Sequence, residues 1–136
     1  MKGCSFCAIR DGRVYAHKLW ENRKFLAFLD INPVNPGHTL LIPKKHVEYV
    51  FDMDNELYSG IFKVAKSLST PIAKAIRSKR IGIAIEGFAV PHVHIHMVPV
   101  KRCNELDPNR AKKATMKELD QVARRIRKEI KKTRVG

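Results

Sequence analysis

The chain has 136 residues, 44% of them apolar, and carries a formal net charge of +14 at pH 7. This length is sufficient for one domain with its own core, and the apolar share argues against a wholly disordered chain. We therefore expect a single domain over residues 1–136. The charge favours a phosphate-bearing ligand or a nucleic acid as partner, although a merely solvated basic tail would give the same excess.

Two absences bear on where the protein works. No segment contains the apolar run of about 20 residues that a membrane-spanning helix requires, so we expect no membrane partner. The first residues, Met1-Lys2-Gly3-Cys4, lack the apolar core of a secretory signal, which predicts a cytoplasmic protein.

The first motif along the chain is the pair Cys4 and Cys7, separated by two residues. In a reducing compartment this spacing is more typical of a metal site or a redox pair than of a structural disulfide. A tight turn would bring both sulfurs to one zinc ion, with histidines as natural further ligands. A redox pair would follow a strand and open a helix, and only three residues precede Cys4. Inert thiols are the third interpretation.

Three strands are predicted next. Residues 13–20 and 24–31 are predicted to form a hairpin. In its second strand, we expect the side that carries Asp30 to face solvent and the opposite side to face the core. Two prolines and a glycine interrupt regular structure over residues 32–37. Residues 38–43 then predict a third strand, which ends just before a Lys-Lys-His sequence.

A helix is predicted from Asp54 onward, with Asp54 or Asn55 as its N-cap. Pro71 should kink this helix or restart it, with Ser69 or Thr70 capping the second piece. The prediction rests on apolar residues at helical spacing: Leu57, Ile61, Val64, Ala65, Leu68 and Ile72.

Two further strands complete the predicted sheet. Alternating Ile81, Ile83 and Ile85 predict the fourth strand, and residues 92–98 predict the fifth, which ends at Pro99. Five antiparallel strands with two helical regions predict an α+β fold.

A basic extension follows a core of about residues 4–100. Residues 101–136 contain thirteen basic and five acidic side chains, a net charge of +8. Thr115 and Glu118 fit a capping box, which predicts a helix over about residues 115–132. The apolar stripe of this helix is Leu119, Val122, Ile126 and Ile130.

The fifth strand carries three histidines in alternation, His92, His94 and His96. Successive side chains of a strand point to opposite faces, so these three imidazoles would share one face. Such a row indicates one of two sites. Several imidazoles could share a metal ion, or one neutral imidazole could attack phosphorus while its neighbours bond the phosphate and protonate the leaving group.

Three other polar residues have simpler interpretations when taken alone. His46 is typical of a surface histidine, and His38 of a hydrogen-bonding residue in a loop. Asp30, just before an Asn-Pro turn, is typical of a turn or cap residue.

Taken together, the motifs resemble the histidine triad (HIT) family of nucleotide hydrolases and transferases. The most specific part is the His-x-His-x-His signature followed by two apolar residues, downstream of a Pro-Gly-His strand. Four segments carry the resemblance in order: residues 4–7, residues 28–33 with 36–46, residues 86–87 and residues 92–98. The resemblance implies a HIT-like α+β fold that forms homodimers.

The resemblance also implies roles for the candidate residues. His94 would attack the α-phosphorus of a nucleotide and carry a covalent nucleotidyl group. His96 would contact phosphate and assist the leaving group, and His38 would support this network. Asp30 would bond the ribose hydroxyls, with Ile31 beside the base. Relatives that keep both cysteines bind a structural zinc ion through residues matching Cys4, Cys7, His46 and His92.

The activity implied is hydrolysis of an adenosine phosphoramidate or acyl-adenylate with release of AMP, without an organic cofactor. One alternative is a dinucleoside polyphosphate hydrolase. Another is a nucleotide-sensing or RNA-binding module with little catalysis, in which the basic C-terminal helix would dock the RNA.

The chain departs from the family pattern around the triad. Many relatives have a longer loop before the triad, with side-chain donors for the phosphate. Here the loop is only residues 88–91, Ile85 replaces an amide, and Val100 follows Pro99 where relatives often have arginine. Backbone N–H groups or Lys101 and Arg102 are candidate substitutes. In relatives, C-terminal residues of the partner subunit help to form the pocket for the leaving group, and the basic tail of this chain matches none of them. The sequence therefore does not specify the substrate.

Overall fold

A computed structural model describes residues 3–136 and contains one five-stranded antiparallel sheet. The strands lie in the order β1-β2-β3-β5-β4. Their bounds are β1 (Lys18–Glu21), β2 (Phe25–Leu29), β3 (Thr39–Pro43), β4 (Arg80–Ala84) and β5 (Ile95–Val100). The helices are α1 (Ser5–Arg10), α2 (Asn55–Ile76) and α3 (Met116–Ile130). The predicted α+β fold is confirmed.

The main core lies between the sheet and the two long helices. Phe25, Ala27 and Leu29 of β2 point into it, as predicted. Apolar side chains of α2 and α3 close it, and they are Ile61, Leu68, Ile72, Leu119, Ala123 and Ile126. Both helices therefore pack against the same face of the sheet.

The other side of β2 is also buried. This corrects the expectation that the side of the strand that carries Asp30 faces solvent. Leu26 and Phe28 pack with Phe6 and Ile9 of α1 in a second cluster. The sequence did not predict α1, and so it left this face uncovered. The polar residue Asp30 follows the end of β2, where it remains half-buried.

α1 replaces the tight turn expected around the two cysteines. Cys4 is its N-cap, with Sγ accepting from the backbone N–H of Cys7 at 3.4 Å. Arg10 anchors the other end of α1, because its Nη1 donates to the carbonyl oxygen of Lys44 at 2.7 Å. The motif thus opens a helix, yet α1 is the first element of residues 3–136 and follows no strand.

α2 begins where predicted and does not restart at its proline. Asp54 Oδ1 accepts from the N–H of Leu57 at 2.8 Å. The helix runs continuously through Pro71 to Ile76, so the predicted second cap was wrong. Ser69 does not cap, because its hydroxyl donates to the carbonyl oxygen of Lys66 at 2.7 Å. Pro71 itself is buried.

α3 has the predicted capping box. Thr115 Oγ1 accepts from the N–H of Glu118 at 3.1 Å, and the N–H of Thr115 donates to Glu118 Oε1 at 3.2 Å. Of the predicted stripe, Val122 is only half-buried, and Ala123 is buried beside it.

The histidine strand starts later than predicted. β5 begins at Ile95, so His92 and His94 lie in the segment before it. β5 pairs with β3 only up to Leu41, and the carbonyl oxygen of Pro43 instead accepts from His92 Nε2 at 2.8 Å. Alternation survives nonetheless: Val93, Ile95 and Met97 point into the main core.

Within residues 3–136, none of the helices combines the length and the apolar character needed to cross a membrane.

Candidate functional site

Two groups of side chains meet on the sheet face that α1 covers. The first group brings together four residues that are far apart in sequence, Cys4, Cys7, His46 and His92. Their sulfur and nitrogen atoms all lie within 4.8 Å of one another. Cys7 Sγ lies 3.2 Å from His46 Nδ1, and Cys4 Sγ lies 3.4 Å from His92 Nδ1.

This donor set fits zinc. A tetrahedral ion with bonds of about 2.0–2.3 Å would hold its ligand atoms about 3.3–3.8 Å apart. The two imidazole Nδ1 atoms, of His46 and His92, are 3.2 Å apart, and Cys7 Sγ lies 3.6 Å from His92 Nδ1. Two thiols and two imidazoles are a usual ligand set for a closed structural site.

His92 is held in the form that a metal requires. Its Nε2 donates to the carbonyl oxygen of Pro43, which leaves Nδ1 unprotonated and directed at the cysteine sulfurs. Burial, helped by neighbouring His46, lowers the pKa of His92 to about 4. The imidazole is therefore neutral at physiological pH.

The second group contains the remaining triad residues. His94 is buried, and its Nδ1 donates to the carbonyl oxygen of His92 at 2.7 Å. We assign this tautomer from the partner, since a carbonyl can only accept. In the neutral imidazole, Nε2 of His94 therefore carries the free lone pair. Phe6 of α1 packs edge-on against this ring, with centroids 4.9 Å apart.

His38 and His96 form a directed hydrogen bond. The backbone N–H of Val34 donates to His38 Nδ1 at 3.1 Å, so His38 carries its proton on Nε2. That nitrogen lies 2.9 Å from His96 Nδ1 and donates to it. His96 is then protonated on Nε2. The ring of His96 lies beside that of His94, with centroids 4.8 Å apart.

Asp30 lies next to this pair, with Oδ2 3.6 Å from His38 Nε2. Asp30, His38 and His96 are close enough to hold a metal. Both ring nitrogens of His38, however, are engaged in hydrogen bonds. The arrangement is better suited to positioning a proton than to binding an ion.

Burial keeps the pair uncharged. It lowers the pKa of His38 to about 4, against an opposing effect of Asp30. Burial and neighbouring His94 also lower the pKa of His96. A site with neutral imidazoles can offer lone pairs and N–H donors at the same time.

All nine predicted site residues lie in or beside these two groups. The sequence missed Phe6, although it lies between the two predicted cysteines, and it missed the backbone donor of Val34. No sequence signal could have revealed Val34, because any residue except proline supplies a backbone N–H. Ile31 is 54% exposed beside Asp30.

The family model of the HIT domain matches residues 11–103, about two thirds of the chain. This match includes the histidine triad, His38 and the strand that follows it. The chain belongs to the HIT family.

Two curated HIT-like relatives are uncharacterized proteins. One, from Borreliella burgdorferi, is 38% identical over 106 residues, covering 73% of this chain and 76% of that protein. The other, from Methanocaldococcus jannaschii, is 40% identical over 102 residues, covering 71% of this chain and 78% of that protein.

Solved HIT structures have the same fold. A zinc-bound histidine triad family protein from Mycobacterium smegmatis superposes with a TM-score of 0.82 and 29% identity, covering 96% of this chain and 94% of that one. A hypothetical histidine triad nucleotide-binding protein from Sulfolobus tokodaii gives a TM-score of 0.82 and 28% identity, covering 95% and 93%. HIT membership implies a nucleotide-binding hydrolase or transferase, and the four-residue cluster is consistent with zinc.

Proposed function

We propose that this HIT protein hydrolyses adenosine phosphoramidates or acyl-adenylates and releases AMP. The observation that carries the proposal is the tautomer of His94. Its Nδ1 proton is bound to a backbone carbonyl at 2.7 Å, so in the neutral imidazole the lone pair that can attack phosphorus is on Nε2.

The proposed reaction has two steps. In the first, His94 Nε2 bonds to the α-phosphorus, and the bond from phosphorus to the leaving nitrogen or acyl oxygen breaks. As that bond breaks, the His96 Nε2 proton passes to the departing group, and the negative charge left on the His96 imidazole is balanced by the positive charge on the phosphorylated His94 imidazole. In the second, water attacks phosphorus, the bond to His94 breaks, and the water proton returns to His96. The cycle uses only side chains of this chain and water.

The roles of the neighbouring residues follow from their hydrogen bonds. His38 donates to His96 Nδ1 and thereby keeps the His96 proton on Nε2. We assign the ribose hydroxyls to Asp30, which is half-buried next to His38. The exposed side chain of Ile31 is the apolar surface proposed for the base.

The surroundings of His96 favour an amine or acyl leaving group. A recess of about 70 Å³ beside His96 and His38 is lined by Glu86 and by apolar residues that include Val98 and Leu106. Among residues 3–136, no lysine or arginine lines this recess. Glu86 lies close enough to His96 to act on its charge and would repel the several negative charges of a polyphosphate leaving group, so we rank dinucleoside polyphosphate hydrolysis second.

We further propose a structural zinc ion at Cys4, Cys7, His46 and His92. These residues join α1 to the end of β3 and to the segment before β5. When bound, zinc would act as a closed cross-link and leave the chemistry to His94. Reduced thiols at Cys4 and Cys7 also suit a reducing compartment, and we propose a cytoplasmic location on that basis.

The edge strand β4 supports the proposed homodimer. β4 pairs with β5 on one side and is the last strand of the sheet. Ile83 is 44% exposed on it, and Phe88 in the following loop is 89% exposed. An apolar edge strand with unpaired backbone groups is suited to strand pairing with a second copy.

The test uses AMP joined through a phosphorus–nitrogen bond to an aromatic amine. We expect release of AMP by the wild-type protein and none by His94→Asn. Intact-mass spectrometry during turnover should detect one adenylyl group, mapped to the peptide containing His94. Equal turnover by wild type and His94→Asn would refute the mechanism. Preferred cleavage of a diadenosine polyphosphate would instead favour the second-ranked activity.

A further inference from the structure

The solvent-facing side of α3 carries a row of four cations. Lys117, Arg124, Lys128 and Lys131 are all exposed. Lys117 to Lys128 lie in α3, and Lys131 is its C-cap. At 100° per residue they fall within about 60° of one another around the helix, and they extend about 21 Å along its axis. We call these four residues the cation row.

The row lies opposite the buried side of the same helix. Leu119, Ala123, Ile126 and Ile130 are buried against the core, about half a turn away from the row. The neighbouring arginines are used structurally, since Arg125 donates to the carbonyl oxygen of Ala75 and Arg127 to that of Lys18. They hold α3 in place, and the cation row is left facing water.

The acidic residues of α3 are engaged elsewhere. Glu118 completes the capping box, and Asp120 accepts from His17 Nε2 at 2.8 Å. Glu129 pairs with Lys132 and Lys74. Among residues 3–136, no carboxylate lies within 4.0 Å of a cation in the row. The four charges are therefore available to an external polyanion.

We propose that the cation row docks the phosphodiester backbone of a nucleic acid, without reading its sequence. A row of positive charges over about 21 Å is complementary to a linear chain of phosphates, and binding would release counterions. An anionic membrane fits less well. Helices that bind membranes insert an apolar face, and here that face is buried in the core.

The docking surface is separate from the catalytic site. α3 packs with α2 on one side of the sheet, whereas His94 contacts Phe6 on the side covered by α1. Glu118, Leu119 and Val122 of α3 line the cavity next to Asp30 and His38, but the cation row is turned by about 80° or more around the helix from each of them. A nucleic acid bound along the row would thus leave the nucleotide site open. The proposal is independent of the activity proposed above.

The test measures binding of the full chain to a fluorescein-labelled 20-nucleotide single-stranded RNA by anisotropy, from 50 to 200 mM NaCl. The variant is Arg124→Gln/Lys128→Gln. The control, Arg13→Gln/Arg23→Gln, removes the same charge from exposed loop positions. Thermal unfolding of each protein verifies that the fold is intact.

We expect the row variant to bind about 10- to 30-fold more weakly at 100 mM NaCl, and its log Kd–log salt slope to decrease by about 1.4, for two lost phosphate contacts. The control should remain within about twofold of wild type. An equal loss in both variants would overturn the proposal, because overall charge would then explain binding. It is also overturned if RNA does not bind at 50 mM NaCl, or if vesicles containing phosphatidylserine bind more tightly than RNA.

Discussion

Nε2 of His38 lies 2.9 Å from Nδ1 of His96 and donates its proton to it, which joins the start of β3 to β5. The direction of this bond is set by the backbone, because the N–H of Val34 occupies the other nitrogen of His38. The loop before β3 thereby places the proton of neutral His96 on Nε2, the nitrogen that would face the substrate in the proposed reaction.

Replacing His38 should therefore reduce catalysis without removing the nucleophile. In His38→Ala the Val34 N–H has no acceptor and His96 has no fixed tautomer. We expect kcat for AMP release to fall about 100-fold, the lower end of general acid catalysis. The control is His17→Gln, which loses another buried histidine, one that bonds Asp120 away from the triad. A similar fall in both variants would contradict this role for His38.

Acid pH should destabilise the protein through His38. Its pKa is about 4 in the fold and about 6.5 in the unfolded chain, so between these values the unfolded state binds more protons. The stability is complete above pH 6.5 and is lost as pH falls toward 4, with a maximum effect of about 3 kcal/mol for this one group.

Urea unfolding of wild type and His38→Gln at pH 7.0 and pH 4.5 measures this effect. The zinc ligands also protonate in acid, but the resulting loss of stability occurs in both proteins and cancels when the two are compared. We expect the wild-type protein to lose more free energy of unfolding than the variant between the two pH values. Equal losses would mean that His38 does not titrate as its burial implies.

The sequence was informative where side-chain pattern determines structure. Alternation placed Val93, Ile95 and Met97 in the core, and the capping box located the start of α3. The cysteine spacing and the His row indicated the two sites, and the resemblance specified which histidines belong to each.

The failures had a different physical origin. Pro71 was expected to interrupt α2, yet burial of its ring and the hydrogen bond of Ser69 within the helix favour continuation. β5 begins at Ile95 rather than at residue 92, and His92 instead donates to the carbonyl oxygen of Pro43. This contact joins residues far apart in sequence, which local propensity does not encode. The covering of Leu26 and Phe28 by the six-residue helix α1 is likewise non-local.

Removing the metal should cost stability more than chemistry. We expect one zinc per chain by elemental analysis of the purified wild-type protein, and much less in Cys7→Ser. Loss of a structural zinc should lower the free energy of unfolding by several kcal/mol and Tm by about 10 °C or more. Cys103→Ser, at an exposed cysteine outside the cluster, is the matched control. Unchanged Tm after complete zinc removal would contradict the structural role.

A charge on the edge strand should separate the proposed dimer. Ile83→Lys places an ammonium on β4, where two copies would pair, and its burial would be unfavourable. Light scattering should give twice the chain mass for wild type and the single chain mass for Ile83→Lys. Val14→Lys changes a residue of similar exposure, 48%, that precedes the opposite edge strand β1, and should stay dimeric. A monomeric wild-type protein would exclude this assembly.

Replacing Gly37, the residue before His38, should destabilise the protein through both backbone strain and overpacking. Gly37 has a φ of +88°, and an added Cβ would lie 2.7 Å from Ile76 Cγ1 and 3.0 Å from Pro99 Cγ. Gly12 is the matched control, because its φ is +78° and nothing lies within 4 Å of its added Cβ. Gly12→Ala should cost only the left-handed backbone penalty of about 1 kcal/mol. Gly37→Ala adds overpacking of about 1–3 kcal/mol and displaces the adjacent His38.

We therefore expect Gly37→Ala to lose more free energy of unfolding in urea than Gly12→Ala does, and only Gly37→Ala to have a lower kcat. Equal costs at both glycines would show that Ile76 and Pro99 move aside freely, and that the loop does not hold His38 in place.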